Sequence, residues 1–136
     1  MPTNYPISAA YTDGQVLTAA NVNSIAGGVN DLATTQFNAQ TGTTYTLVLT
    51  DAAKLVTLTN AASITLTIPL NSSVAFPTGT QILLYQGGAG QVTVAGAVGV
   101  TLRAQASQTK MVGQYAVAGL VKVGTDEWVL FGNTST

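Results

Sequence analysis

From about Thr43 onward the chain repeats one pattern: short runs with apolar residues at every second position, each run ended by turn-forming residues. The runs are YTLVLT (45–50), KLVTLT (54–59), SITLTIP (63–69), TQILLYQ (80–86), QVTVAG (91–96), GVTLR (99–103), YAVAGLVKV (115–123) and EWVLFG (127–132). A period of two puts alternate side chains on opposite faces of a strand, so each run reads as a half-buried strand. The clearest is 63–69, where Ile64, Leu66 and Ile68 alternate with Thr65 and Thr67. Between the runs stand Thr50-Asp51, Thr59-Asn60, Asn71-Ser72-Ser73, Pro77-Thr78-Gly79, Gly87-Gly88-Ala89-Gly90, Ala95-Gly96 and Gly124-Thr125-Asp126, all turn signals. About eight short strands at this spacing, with no helical pattern among them, predict an all-β antiparallel sandwich or barrel over residues 41–136.

Residues 1–40 follow a different rule. Pro2 and Pro6 favour an extended arm carrying Tyr5, Ile7 and Tyr11, and Asp13-Gly14 is a turn signal. Thr18 then fits a helix N-cap, and Val22, Ile25, Val29 and Leu32 follow at spacings of three, four and three. That is a narrow apolar seam, and Gly27-Gly28 within it lowers helix propensity by roughly 1 kcal/mol per glycine. Such a helix needs a surface, either its own domain or copies of itself in a coiled-coil-like seam. The expected organisation is an attachment and oligomerisation segment, 1–40, followed by the β domain.

Composition decides what chemistry is left. The 136 residues are 46% hydrophobic and 7% charged, with net charge -1, no His and no Cys. Imidazole acid–base work, cysteine nucleophiles and Cys/His zinc sites are therefore excluded. Lys54, Arg103, Lys110 and Lys122 are scattered, which predicts no nucleic-acid partner. No apolar run is long enough for a membrane-spanning helix, and the opening MPTNYPISAAY lacks the basic and apolar regions of a secretory signal. The polar surface must come from Thr, about one residue in six, with Asn, Gln, Ser and Gly.

Asp13, Asp31, Asp51, Asp126 and Glu127 are the carboxylates. Asp126 and Glu127 are neighbours in an expected hairpin turn, and Asp51 sits in another, so neither position suggests a pair held across a cleft. The Gly87–Gly90 loop lacks the Lys-Ser/Thr and helix start of a phosphate loop and reads as a flexible hairpin loop. Lys54, Arg103 and Lys110 read as solvated or as inter-subunit ion-pair partners. No catalytic, cofactor-binding or metal-ligating residue is expected. A sheet faced with neutral Thr, Val and Ala is poorly defended against edge pairing, a condition tolerated when a partner covers it. Tyr45, Tyr85, Tyr115, Phe37 and Phe131 are either interface anchors or core residues.

Two segments carry a resemblance. DGQVLTAANVNSIAGGVNDL resembles an N-terminal turn and helix common in virion proteins of tailed bacteriophages. The later order LTDAAKLVTL, ITLTIP, FPTGTQI, GAGQVTVAG and WVLFG resembles a small β module of phage tail-fibre, head-fibre and minor structural proteins. The resemblance implies a non-enzymatic virion component, a homotrimer made in the host cytoplasm. The short chain, without a shaft of repeats, favours capsid decoration (a cement protein or short head fibre) bound to the major capsid protein or another virion protein. The alternative is a tail-associated fibre that adheres to the host surface. In either case Tyr5, Ile7 and Tyr11 would lie along a neighbouring protein, and Val22, Ile25, Val29 and Leu32 would pack near the threefold axis.

Overall fold

Alternation of β-branched and apolar residues produces what it should at Ile64–Ile68: the three aliphatic side chains are buried and the threonines face outward. The computed structural model describes residues 34–136, with Thr35–Thr136 forming one unit. The expected arm and helix, with Tyr5, Ile7, Tyr11, Val22, Ile25, Val29 and Leu32, lie outside the described residues.

Eleven strands lie among the described residues. They are β1 (Phe37–Gln40), β2 (Thr44–Thr46), β3 (Leu55–Leu58), β4 (Ile64–Ile68), β5 (Gln81–Gln86) and β6 (Val92–Gly96). After these come β7 (Thr101–Ala104), β8 (Lys110–Met111), β9 (Val117–Gly124), β10 (Glu127–Gly132) and β11 (Thr134–Ser135). Each run read from the sequence contributes a strand; β1, β8 and β11 are additional and short. The run at 45–50 is strand only at its beginning, because Leu49–Asp51 turns as a 3-10 helix.

The strands form two sheets, a six-stranded one ordered β1-β3-β5-β9-β10-β7 and a five-stranded one ordered β11-β8-β6-β4-β2. The all-β expectation holds, but the antiparallel one requires correction. β1, β3 and β5 run parallel to one another, as do β2, β4 and β6, and β7 is parallel to β10. Only the pairings of β8, β9 and β11 with their neighbours, β10 with β9 included, are antiparallel. The physical reason is in the winding. Successive strands β1 to β6 fall alternately in one sheet and then the other, so the crossover between two parallel neighbours is itself a strand. Parallel pairing needs a long return, usually a helix, and here the opposite sheet supplies it. The chain is a short two-sided coil of three stacked turns, closed by an antiparallel section.

Stacking extends to the corners. Asn60 Nδ2 donates to the Thr41 carbonyl (2.8 Å), and the Gly90 N–H donates to the Asn60 carbonyl (2.8 Å). Gly90 is where a side chain is impossible, since a Cβ there would lie 1.8 Å from the Ala62 carbonyl oxygen. The Gly87–Gly90 segment is therefore a buried corner packed on the preceding turn, not a flexible hairpin loop.

Both sheets bury one face in a single core. Val56, Leu58, Ile82, Leu84, Leu120, Trp128 and Leu130 enter from the larger sheet, and Ile64, Leu66, Ile68, Val92, Val94 and Met111 from the smaller. Each such large side chain contributes roughly 1.5–3 kcal/mol by leaving water. Phe76 closes one end, its ring edge-on to Trp128 at 5.4 Å and 89°.

Candidate functional site

If the inner faces of the sheets are alike, their outer faces are not. On the larger sheet, pairing places Phe37 beside Leu55, Leu55 beside Leu83, Leu83 beside Gly119, and Gly119 beside Phe131. These residues form one row across five strands. Phe37 is 69% exposed, Phe131 51% and Leu83 41%. The Phe131 ring lies over Gly119, where a Cβ would come within 2.3 Å of it. Gly119 thus serves as the seat of an aromatic ring, and any larger residue would displace it. The next row holds Thr57, Tyr85 and the exposed Val117, and the row on the other side Gln81, Val121, Val129 and Arg103.

This is an apolar, partly aromatic sheet face open to solvent. Its charge sits at the β7 margin, where Arg103 Nε donates to Glu127 Oε1 at 2.8 Å. That pair is exposed and intramolecular, so Arg103 is solvated, as one of the two readings had it, and its ion-pair partner lies in its own chain. Scattered surface hydrophobics need no explanation, whereas a contiguous row does.

The smaller sheet presents the opposite chemistry. Thr44, Thr65, Thr93, Lys110 and Ser135 form one row, with Thr46, Thr67 and Ala95 beside it. A lattice made mostly of hydroxyls keeps β propensity while offering water a hydrogen bond at every position but Ala95.

At the end of the larger sheet, Thr35, Ala52, Ala53, Lys54, Gly79, Thr80, Gln81 and Leu83 line an open groove of about 460 Å³. It adjoins the apolar row through Leu83 and adds polar groups to the edge of that surface.

The aromatic candidates divide. Phe37, Tyr115 and Phe131 are exposed, whereas Tyr45 is drawn into a polar clasp. Its hydroxyl donates to Asp51 Oδ2 (2.7 Å) and accepts from Asn38 Nδ2 (2.8 Å). Asn38 also donates to Asp51 Oδ1 (2.6 Å), and the Val48 N–H to Asp51 Oδ2 (2.9 Å). Burial first, and then the hydrogen bond to Asp51 and its charge, push the Tyr45 phenol up to about 12. Asp51 sits in a turn, as expected, yet it is fully buried: it accepts three hydrogen bonds and ties β1 to β2, the first strand of each sheet. Asp126 accepts the Asn71 N–H at 2.7 Å. Asp51 and Asp126 thus have structural partners, and Glu127 has Arg103.

Sequence reasoning missed the row because it read each run for its inward face. The signal was present in TQILLYQ, where Leu83 interrupts the alternation between Ile82 and Leu84 and makes both faces apolar. Among the described residues no group of three or more acidic side chains is placed to hold a metal ion. Compared with models of known protein families and with curated proteins, the chain matches none.

Proposed function

We propose that the chain is a non-enzymatic virion structural protein, a trimeric capsid-decoration module in which the apolar outer face of the larger sheet meets neighbouring copies. The observation that supports this reading is the row Phe37, Leu55, Leu83, Phe131 on a solvent-facing sheet almost devoid of charge. Six strands span roughly 29 Å at about 4.8 Å per strand. With strands about 17 Å long, the flat face covers roughly 500 Å², somewhat over half of the about 800 Å² per partner of a stable protein interface. The resemblance of its sequence motifs to those of phage virion proteins suggests the setting.

Function follows from multivalency. Each subunit presents one weak footprint to the particle, and joining three in one assembly raises the effective concentration of the second and third contacts to the millimolar range. Because the subunit contacts are apolar, raising the salt concentration leaves the assembly intact, whereas contacts made by exposed ion pairs would be screened within about 10 Å. Two measurements test the reading. Sedimentation equilibrium should give a trimer whose association is insensitive to salt, and a stable monomer would remove the assembly role from this face. Immunogold labelling of intact particles from the source should scatter over the head. Label confined to the tail would replace decoration with the adhesive-fibre reading, and absence of label would overturn both.

A further inference from the structure

Lys122 is 2% exposed, a cation placed in the interior by the eight-residue strand β9. Its Nζ donates to Asn71 Oδ1 at 2.5 Å and to the Phe76 carbonyl at 2.6 Å. Both acceptors are neutral. Among the described residues the one salt bridge is Arg103–Glu127, so no carboxylate is in direct contact with Lys122 Nζ; the nearest one that the contacts show, Asp126, reaches the site through the Asn71 backbone. An interior ammonium held only by neutral acceptors is an expensive arrangement, normally relieved by a counter-ion or by loss of the charge.

The same contacts suggest how the charge is lost. Asn71 lies in the segment after β4 and is fixed independently of Lys122, because its backbone N–H donates to Asp126 Oδ1 at 2.7 Å. Phe76 and Trp128 wall the site, each almost completely buried, and Trp128 is the cross-strand partner of Lys122. A primary amine, itself enclosed, is therefore held against the carboxamide of the half-buried Asn71.

The geometry points to an intramolecular isopeptide bond between Lys122 and Asn71. In its neutral form Lys122 Nζ attacks Asn71 Cγ, the Nζ–Cγ bond forms and the Cγ–Nδ2 bond breaks. Nδ2 departs carrying a hydrogen from Nζ, as ammonia. Counted from the ammonium form, the lysine and the carboxamide become one secondary amide plus an ammonium ion. Atoms and charge balance, no oxidant or reductant is needed, and the positive charge leaves the interior with the product. Asp126 acts as a positioning residue, presenting Asn71 to the amine through its backbone. The product joins β9 to the segment after β4 across the closed end of the core.

Mass spectrometry of the full chain decides the matter. The denatured protein should weigh about 17 Da less than its sequence, one ammonia lost. Trypsin should leave residues 55–103 joined to residues 111–136, uncut at Lys122. Lys122→Met and Asn71→Ala should abolish both signatures, and Asn71→Asp should shift the loss to about 18 Da, because water leaves instead of ammonia. Asp126→Ala should lower the cross-linked fraction of the folded protein, with Asp126→Asn, which keeps an acceptor, restoring it. A wild-type chain of full mass cleaved normally at Lys122 overturns the assignment. So does a loss of about 17 Da without the joined peptide, since cyclisation elsewhere would give the same mass.

Discussion

The two sheets share an interior and differ outside. Inward they are interchangeable: Leu84 and Leu66 are both fully buried in one core. Outward, one carries Phe37, Leu83 and Phe131, and the other Thr44, Thr65 and Thr93. Inner faces answer to packing, which rewards any well-fitting aliphatic side chain. Outer faces answer to whatever lies beyond the molecule, and a threonine face is at ease with water where a phenylalanine–leucine row is not. The difference separates the part of the sequence that makes the fold from the part that the proposed assembly would use.

The strongest check on that division is inside. Leu84→Ala and Leu66→Ala should each lower stability by about 2–5 kcal/mol, by similar amounts in the two sheets. Urea unfolding would show it, and a large asymmetry would mean that the two inner faces are not equivalent. Next comes the point where the sheets are tied together. Asp51→Ala removes the acceptor for Asn38, Tyr45 and the Val48 N–H and should cost about 2–3 kcal/mol. Lost amide protection in β1 and β2, with β9 and β10 unaffected, would locate the damage.

Outside, the sheets should part company. Giving the larger sheet the chemistry of the smaller one, by Leu83→Thr with Phe131→Thr, should weaken self-association at least tenfold, about 1.4 kcal/mol. Circular dichroism should remain that of the folded protein, and unchanged association would refute the division of labour. The clasp also has a pH signature. The folded Tyr45 phenol ionises near 12 against an ordinary value of 10, so the native state holds its proton more tightly. Its contribution is complete below pH 10 and is lost as pH rises from 10 through 12. Tyr45→Phe should flatten this part of the stability–pH curve. The smallest effect belongs to the hydroxyl face: Thr65→Val should change stability by no more than about 0.5 kcal/mol.

Much of the fold was legible in residues 43–132 because burying one face imposes a period of two wherever it occurs. Ile64, Leu66 and Ile68 could hardly be read otherwise. Strand direction was not legible. A run of alternating residues carries the same pattern up or down, and the usual mark of parallel pairing, an intervening helix, is absent because the opposite sheet performs that task. β8 and β11, of two residues each, are too short to show any period. The apolar row was half visible, in the interrupted alternation around Leu83, but its continuity from Phe37 to Phe131 depends on registers that join residues far apart in the chain. Asp51 and Lys122 were opaque for a related reason. Nothing in the spacing marks a charged residue as buried when a partner arrives from a different strand, as Asn38 does for Asp51, or from far along the chain, as Asn71 does for Lys122.

The stacked turns also govern how such a gene changes length. Leu55 and Leu83 occupy equivalent places in the larger sheet, and Ile64 and Val92 stand apart by the same interval in the smaller one. Duplicating residues 55–82 would therefore add one whole turn, keeping every inward residue inward and extending both outer faces by a strand. Gaining or losing a single residue within a strand would instead turn its apolar side chains out to water. Growth by units lengthens the molecule without redesigning it, as courses of brick raise a wall.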